Sequence, residues 1–385
     1  MNIKITSKDG ATLKTANKYV EEDIAIVLDE SFAQPSGTLE VTENGTHDVT
    51  NYESVDVNVS SSGNGVNLLQ KQIDDYNAFG LFSNWVNNKN LDEYINSLDF
   101  SNTDHTGYMF AGCGNLKSIP FFNTSSVTNM QNMFRDCGYL TTIPQLDTSN
   151  VVYMSQMFYY CGRLTSVPQL NTSNVVYMDH MFYSCTSLTT IPQLDTSKST
   201  SISYMFYNCK ALTTIPQLNT SSVTNMRCTF SNCSALTSVP QLDTSNVTTI
   251  DHMFSSCSVL TNVPQLDTSK ATDMSYMFYK CEKLTTIDIT YYNISNTSYI
   301  ANFANGCTAL KSLIIREFGA NYVLSSNSFT GSGIVNGTGY IYVPRAMVDI
   351  LSQSTNWSTY ASQIRALEDY TVDGTTTGAL DETKI

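Results

Sequence analysis

The chain has 385 residues, 41% of them apolar and only 14% charged, and carries a formal net charge of −14. The acidic residues are spread along its whole length, which excludes a basic groove for nucleic acid and a polybasic patch for anionic lipid. No apolar run approaches the roughly 20 residues that span a bilayer, so no membrane insertion is expected. Met1-Asn2-Ile3-Lys4-Ile5-Thr6-Ser7 also lacks the basic start and apolar core of a secretion signal.

Residues 1–62 predict β-rich N-terminal modules: IKITS, a Lys8-Asp9-Gly10 turn, ATLKT and IAIVLDE, then GTLEVT, an Asn44-Gly45 turn and the alternating SVDVNVS. Residues 63–91 predict a linker followed by a helical cap, with Leu68, Leu69, Ile73, Tyr76 and Phe79 at helical spacing.

From residue 92 to 315 one sentence of 24 residues repeats. It is regular over seven copies from Leu116 to Lys283 and clearest at LTTIPQLDTSNVVYMSQMFYYCGR, from Leu140 to Arg163. Cysteines keep the period from Cys113 to Cys281 and prolines from Pro120 to Pro264. Such a period predicts a solenoid, because one unit cannot bury its own apolar face and must stack on its neighbour.

Within a copy, Leu140, Ile143 and Leu146 predict a short extended segment. The Pro column must lie at its end or outside the ladder, since Pro has no N–H to give. Asp147-Thr148-Ser149-Asn150 predicts a turn and a helix cap. Val151, Met154, Met157, Phe158 and Cys161 recur at intervals of three and four, which predicts a short buried helix. The expected fold is therefore an α/β solenoid, a right-handed stack of 24-residue units with a parallel sheet on its narrow side and helical caps.

After Lys283 the pattern loosens, and Asp288 takes the Pro slot. Residues 316–370 predict closing strands and a second helical cap over Ala346–Ala366, and residues 371–385 a poorly ordered acidic tail.

The cysteines on the 24-residue beat sit in an apolar slot beside Phe, which predicts buried free thiols rather than disulfides, while Cys228, off the beat, is expected to be exposed. No CxxC pair, GxSxG elbow, GxGxxG loop or P-loop is present, so no cofactor, metal or catalytic residue is expected. Asp147, Asp195, Asp243 and Asp267 suggest carboxylate chemistry, yet Asn123, Asn171 and Asn219 share their column. Asn accepts a hydrogen bond in an Asx turn but cannot exchange a proton as an acid, so the column reads as turn chemistry. The nearly unvarying Thr and Gln columns, such as Thr141 and Gln145, read as stacking ladders, with a repetitive wall glycan as a second use.

The columns that vary hold Tyr153 and Tyr177, then His180, Tyr204, His252 and Tyr276, then Tyr159, Tyr183, Tyr207 and Tyr279. Tyr supplies large contact area at low entropy cost, so these are the candidate ligand contacts. The alternative is that they shield the seams of the stack.

The unit LTTIP…V…M…MF..C resembles the leucine-rich repeats of the BspA-like, or treponemal, type, and DTSNVxxMxxMFxxC resembles the related repeat of mycoplasma surface lipoproteins. The closing IYVP…NWSTYASQI is similar to the end of BspA-like proteins. ITSKDGATLKTANKYVEEDI and LEVTENGTHDVTNYESVDVNV resemble N-terminal modules of tail and virion proteins of phages infecting Firmicutes. Together these resemblances imply a non-enzymatic phage virion protein, assembled in the host cytoplasm. Residues 1–62 would join it to other virion proteins, and its solenoid would bind a host cell-surface glycan or protein; phage fibres in general suggest an oligomer. The alternative they imply is a bacterial cell-surface adhesin, and a wall-degrading enzyme is a third class. Few Lys and Glu and much Thr, Ser and Asn suit a protein outside the cytosol or within a large assembly.

Overall fold

The computed structural model describes the strands within residues 2–57, Phe82, and residues 99–384 apart from 102 and 382. The cap expected over residues 66–90 lies outside the described residues, Phe82 excepted. In the N-terminal part, β1 (Asn2–Ser7) pairs antiparallel with β2 (Thr12–Ala16) and with β3 (Gly37–Thr42), and β4 (Val55–Val57) joins β3 in parallel, giving the order β2-β1-β3-β4.

The repeats stack as a solenoid with parallel bridges at 24-residue intervals: His105 to Asn129, then Tyr153, Tyr177, Ser201, Asn225, Thr249 and Asp273. One apolar core runs the length of the stack from Phe82 to Ile364. Its axis is a column of phenylalanines. Phe110, Phe134, Phe158, Phe182, Phe206, Phe230, Phe254 and Phe278 are fully buried and stack in series with centroids 5.4 to 5.8 Å apart.

The helix expected over Val151–Cys161 is not formed. Met157 N–H donates to Met154 O, Tyr159 N–H to Gln156 O and Cys161 N–H to Phe158 O, so the segment is a chain of tight turns. Gln156 and Tyr160 stand at positive φ, 58° and 59°, and equivalent residues in other copies do the same. Two left-handed residues four apart break an α-helix, but they turn four N–H groups toward the next copy. Met154, Gln156, Phe158 and Tyr160 N–H donate to Tyr177, Asp179, Met181 and Tyr183 O at 2.8–3.0 Å. Intervals of three and four bury the same side chains in either geometry, which is why the apolar stripe alone did not separate them.

The extended segment makes less backbone ladder than expected. Thr141 N–H donates to Lys117 O, and the Thr141 hydroxyl reaches the same carbonyl at 3.1 Å. Past the Pro column the ladder is carried by side chains. Gln145 Nε2 donates to Gln169 O at 2.7 Å and to Leu146 O at 3.1 Å, and Gln169, Gln193 and Gln217 repeat the pattern. Thr148 Oγ1 donates to Asn171 O at 2.9 Å from a fully buried position. The Asp/Asn column makes the expected turn: Ser149 N–H and Oγ donate to Asp147 Oδ1 at 3.0 and 2.7 Å, and Asn171 accepts from Ser173 alike. It caps no helix.

Each on-beat thiol donates to a Phe carbonyl of the previous copy, as Cys161 Sγ does to Phe134 O at 3.0 Å. All ten cysteines are free and buried, and burial pushes the Cys233 thiol up to about 12. Cys228, expected at the surface, is only 5% exposed. It takes the place of a large side chain in its column and sinks between its neighbours.

The stack ends in a regular parallel sheet, β5 (Thr286–Ile294), β6 (Ser312–Tyr322), β7 (Tyr340–Val343) and β8 (Ile364–Ala366). The closing helix is shorter than expected. After α1 (Arg345–Gln353) the chain makes a 3-10 segment, Trp357–Gln363, and then enters β8. Glu368 accepts from Arg345 N–H at the start of α1, and fully buried Trp357 donates Nε1–H to Tyr322 O at 2.6 Å while packing edge-on against Tyr292 and Phe318. The tail is folded rather than loose. Thr371 bridges Leu380, Tyr370 and Leu380 cover Ile314, Tyr342 and Leu367, and Arg316 Nη1 donates to Thr376 O and Gly378 O.

Candidate binding surface

The turn ribbon that replaces the helix carries the varying columns. Because each copy is hydrogen-bonded to the next at fixed register, equivalent side chains fall one above another. Tyr159, Tyr183 and Tyr207 stack in series with centroids 4.6 Å apart and planes within 19°. His180 stacks on Tyr204 at 4.7 Å, and these two columns interlock through Tyr159–His180, His180–Tyr183, Tyr183–Tyr204 and Tyr204–Tyr207 contacts of 5.7–6.3 Å. The result is one paved patch of five rings. Offset stacking of this kind contributes about 0.5–1.5 kcal/mol per pair beyond burial.

Two members of the patch were not among the expected contacts. Tyr160, exposed, lies edge-on to Tyr159 at 4.8 Å and near Tyr183 at 5.5 Å. Arg135 closes the open end of the Tyr159 column with its guanidinium 4.9 Å from the ring centroid, while Nη1 donates to Gln156 Oε1. Tyr160 was legible as the second aromatic of Tyr159-Tyr160; Arg135 was legible only as the residue at the Tyr159 position one copy earlier.

The other expected residues form separate groups. Tyr153 and Tyr177 stack on each other at 4.8 Å and are exposed. His252 stacks on Tyr276 at 4.6 Å, with Tyr279 edge-on to Tyr276 and Lys280 Nζ 5.2 Å from the Tyr279 ring. Small residues interrupt the paving between the two patches: Cys228 follows Tyr204 in its column and Ser231 follows Tyr207. Beside this gap Asp251, nearly buried, pairs with Arg227 at 3.2 Å and with His252 Nδ1 at 3.1 Å.

The environment suppresses ionisation. Burial, then the neighbouring Tyr207, pushes the Tyr183 hydroxyl far up, and burial likewise raises Tyr159 and Tyr204. Burial also lowers His180, which favours the neutral ring, against the opposing pull of Asp179. His180, Tyr204, His252 and Tyr276 all hold φ between 56° and 58°, a conformation that costs a non-Gly residue about 1–2 kcal/mol. Ladder bonds on both sides hold it.

Nothing in the patch is arranged as a nucleophile with its base. The Asp147, Asp195, Asp243 and Asp267 carboxylates each accept hydrogen bonds from the Ser two residues on in their own copy. Among the described residues no three His, Cys, Asp or Glu side chains converge on a point that could hold a metal ion.

A protein family described as "Mycoplasma protein of unknown function, DUF285" matches residues 76–191, 140–239 and 200–318, together more than half of the chain. The chain belongs to this family. Among solved structures, a leucine-rich repeat protein of T. pallidum shares 22% identity with a TM-score of 0.35, over 44% of this chain and 76% of its own. A leucine-rich cell surface protein of Faecalibacterium prausnitzii shares 22% identity with a TM-score of 0.28, over 59% and 72%. The pneumococcal vaccine antigen PcpA shares 14% identity with a TM-score of 0.34, over 70% and 68%. No curated protein matches the chain.

Proposed function

We propose that this chain is a non-enzymatic recognition scaffold of a bacterial cell surface, a leucine-rich-repeat adhesin that engages a protein partner through the paved patch on its turn ribbon. The observation that carries the reading is the interlocked group Tyr159, His180, Tyr183, Tyr204 and Tyr207 on a rigid backbone. The rings stack face to face, so each covers its neighbour's flat surface and leaves edges and hydroxyls for a partner. Such a surface suits the side chains and carbonyls of a protein better than a sugar ring, which needs an open aromatic face. Rigid Tyr-rich surfaces bind with little loss of side-chain freedom.

A surface rich in Thr, Ser and Asn and poor in Lys and Glu supports a place outside the cytosol, and membership of a family named for mycoplasma proteins supports a bacterial setting over a phage particle. Attachment to a virion through residues 1–62 is the competing placement. Protease shaving of intact producing cells should release peptides of this chain, whereas recovery in purified phage particles by mass spectrometry would overturn the cell-surface assignment. For the patch, replacing Tyr183, Tyr204 and Tyr207 together by Ala should abolish most binding of the labelled chain to intact animal or bacterial cells in flow cytometry. Unchanged binding would return these rings to the purely structural role of sealing the stack.

A further inference from the structure

A second surface, separate from the paved patch, carries a groove. One section of about 770 Å3 is lined by Phe121, by the Gln column from Gln145 to Gln193 and by the Asp/Asn column from Asp147 to Asp195. A second section of about 580 Å3 shares Gln193 and Asp195 and continues to Gln241 and Asp243. The floor is the buried Leu column, Leu146 to Leu218. Phe121 stands at one end in the slot that Gln fills in later copies and is 67% exposed.

We propose that this groove binds a linear, neutral, equatorially linked glycan, with one sugar per copy and the first ring stacked on Phe121. Four observations select that occupant. The first is period. The copies are bridged in parallel register, Tyr153 to Tyr177 and onward, so equivalent groups recur at about the strand spacing of 4.8 Å. That is close to the advance of one pyranose in an extended chain. The second is alternation. Between residues 123 and 243 the column reads Asn123, Asp147, Asn171, Asp195, Asn219, Asp243, a strict two-copy repeat. An extended, equatorially linked glycan turns each sugar over relative to the last and so presents the same edge every second residue.

The third observation is hydrogen-bond supply. The Gln amide N–H groups are spent on backbone carbonyls, and Asp147 Oδ1 on Ser149. Among the described residues the Gln Oε1 atoms and the second Asp oxygens have no protein donor, and each Asn keeps its amide N–H groups. Sugar hydroxyls both donate and accept, which matches this mixed row, while the carboxylates repel an acidic polymer. The fourth is the backbone. Pro lacks an N–H, and the carbonyls at Gln169, Gln193 and Gln217 already accept from side chains, so an added peptide strand would find no free edge.

Calorimetric titration of the full chain with cellohexaose and with chitohexaose tests the assignment. One of the two should bind, with affinity rising at least about tenfold from its trimer to its hexamer. Maltohexaose, which is helical rather than extended, and oligogalacturonate, which is acidic, should not bind. Phe121→Ala should weaken binding by about tenfold or more, the effect of losing one buried aromatic contact, with an unchanged melting temperature because this ring is exposed in the fold. Asn171→Ala with Asn219→Ala should weaken it also. Tyr183→Ala should leave sugar binding unchanged, which separates this proposal from the protein-binding patch. Failure of both neutral hexamers to bind at millimolar concentration, or binding indifferent to Phe121, would overturn it. A dimer in sedimentation that Phe121→Ala dissolves would also overturn it, assigning the groove to a second copy of the chain.

Discussion

The seven regular copies and the sheet that follows them solve one stacking problem in two ways. In the copies, the backbone ladder runs along the turn ribbon, Pro interrupts the extended segment, and there the Gln amide and the Thr hydroxyl supply the missing links between neighbours, with the Cys thiol adding one more. Where Asp288 replaces Pro, backbone pairs with backbone. The strand lengthens to nine residues in β5 and eleven in β6, and the side chains are released for other uses. One of those uses is the Asp288–Arg316 pair at 2.6 Å, which ties the sheet to the folded tail. Gln265, the last Gln of the ladder, reaches Asp288 at 3.4 Å, so the two systems meet at one carboxylate. A polar side chain at constant register thus stands in for a peptide group when every copy repeats it.

Breaking the copies at their axis should have the largest effect. Phe182→Ala removes a ring stacked on both sides and should cost about 3–5 kcal/mol in chemical denaturation. In the Pro-free region, Arg316→Ala leaves Asp288 mostly buried without its partner. It should cost about 3 kcal/mol and open residues 371–381 to proteolysis, whereas retention of tail protection would show that the apolar contacts of Leu380 suffice. Gln193→Ala removes one side-chain rung and should cost about 1 kcal/mol, measured by the shift in denaturation midpoint. A much smaller loss would mean the backbone bridges carry the stack alone.

The smallest effect concerns acid. The Ser149 N–H and hydroxyl hold Asp147 below the ordinary carboxylate range, and Ser197 and Ser245 do the same for Asp195 and Asp243. A depressed carboxylate stabilises the fold above its unfolded pKa, and that contribution is lost as pH falls through the folded value. Melting temperature should therefore hold through neutral pH and fall below about pH 4. Asp195→Asn, which copies its neighbours' residue, should change stability by less than about 0.5 kcal/mol at pH 7 and flatten the acid limb.

The stacking of copies was legible because Leu, Phe and Cys return every 24 residues, and the Asx turns because Asp and Asn exchange in one column. The ribbon was misread as a helix because Met154, Met157, Phe158 and Cys161 satisfy both geometries. The decisive signal lay in other columns. Gly112, Asp136, Asn208, Asn232 and Gly306 occupy the Tyr160 position, and Gly, Asn and Asp are the residues that most easily adopt positive φ. Which aromatic columns would touch depended on the offset between ribbon positions three apart, and that offset follows from turn geometry rather than composition. Cys228 was misplaced for a related reason: leaving the cysteine beat did not mean leaving the interior.

The register of the ribbon also makes length a free variable. Each regular copy gives the next three or four N–H groups, a ring and a backbone carbonyl for its thiol, and receives a like set from the copy before. Duplicating or deleting 24 residues in the gene replaces each lost core contact of the Phe and Cys columns by an equivalent one, whereas a change of one residue misaligns them. Such a molecule acts as a ruler whose span recombination can reset without redesigning its core.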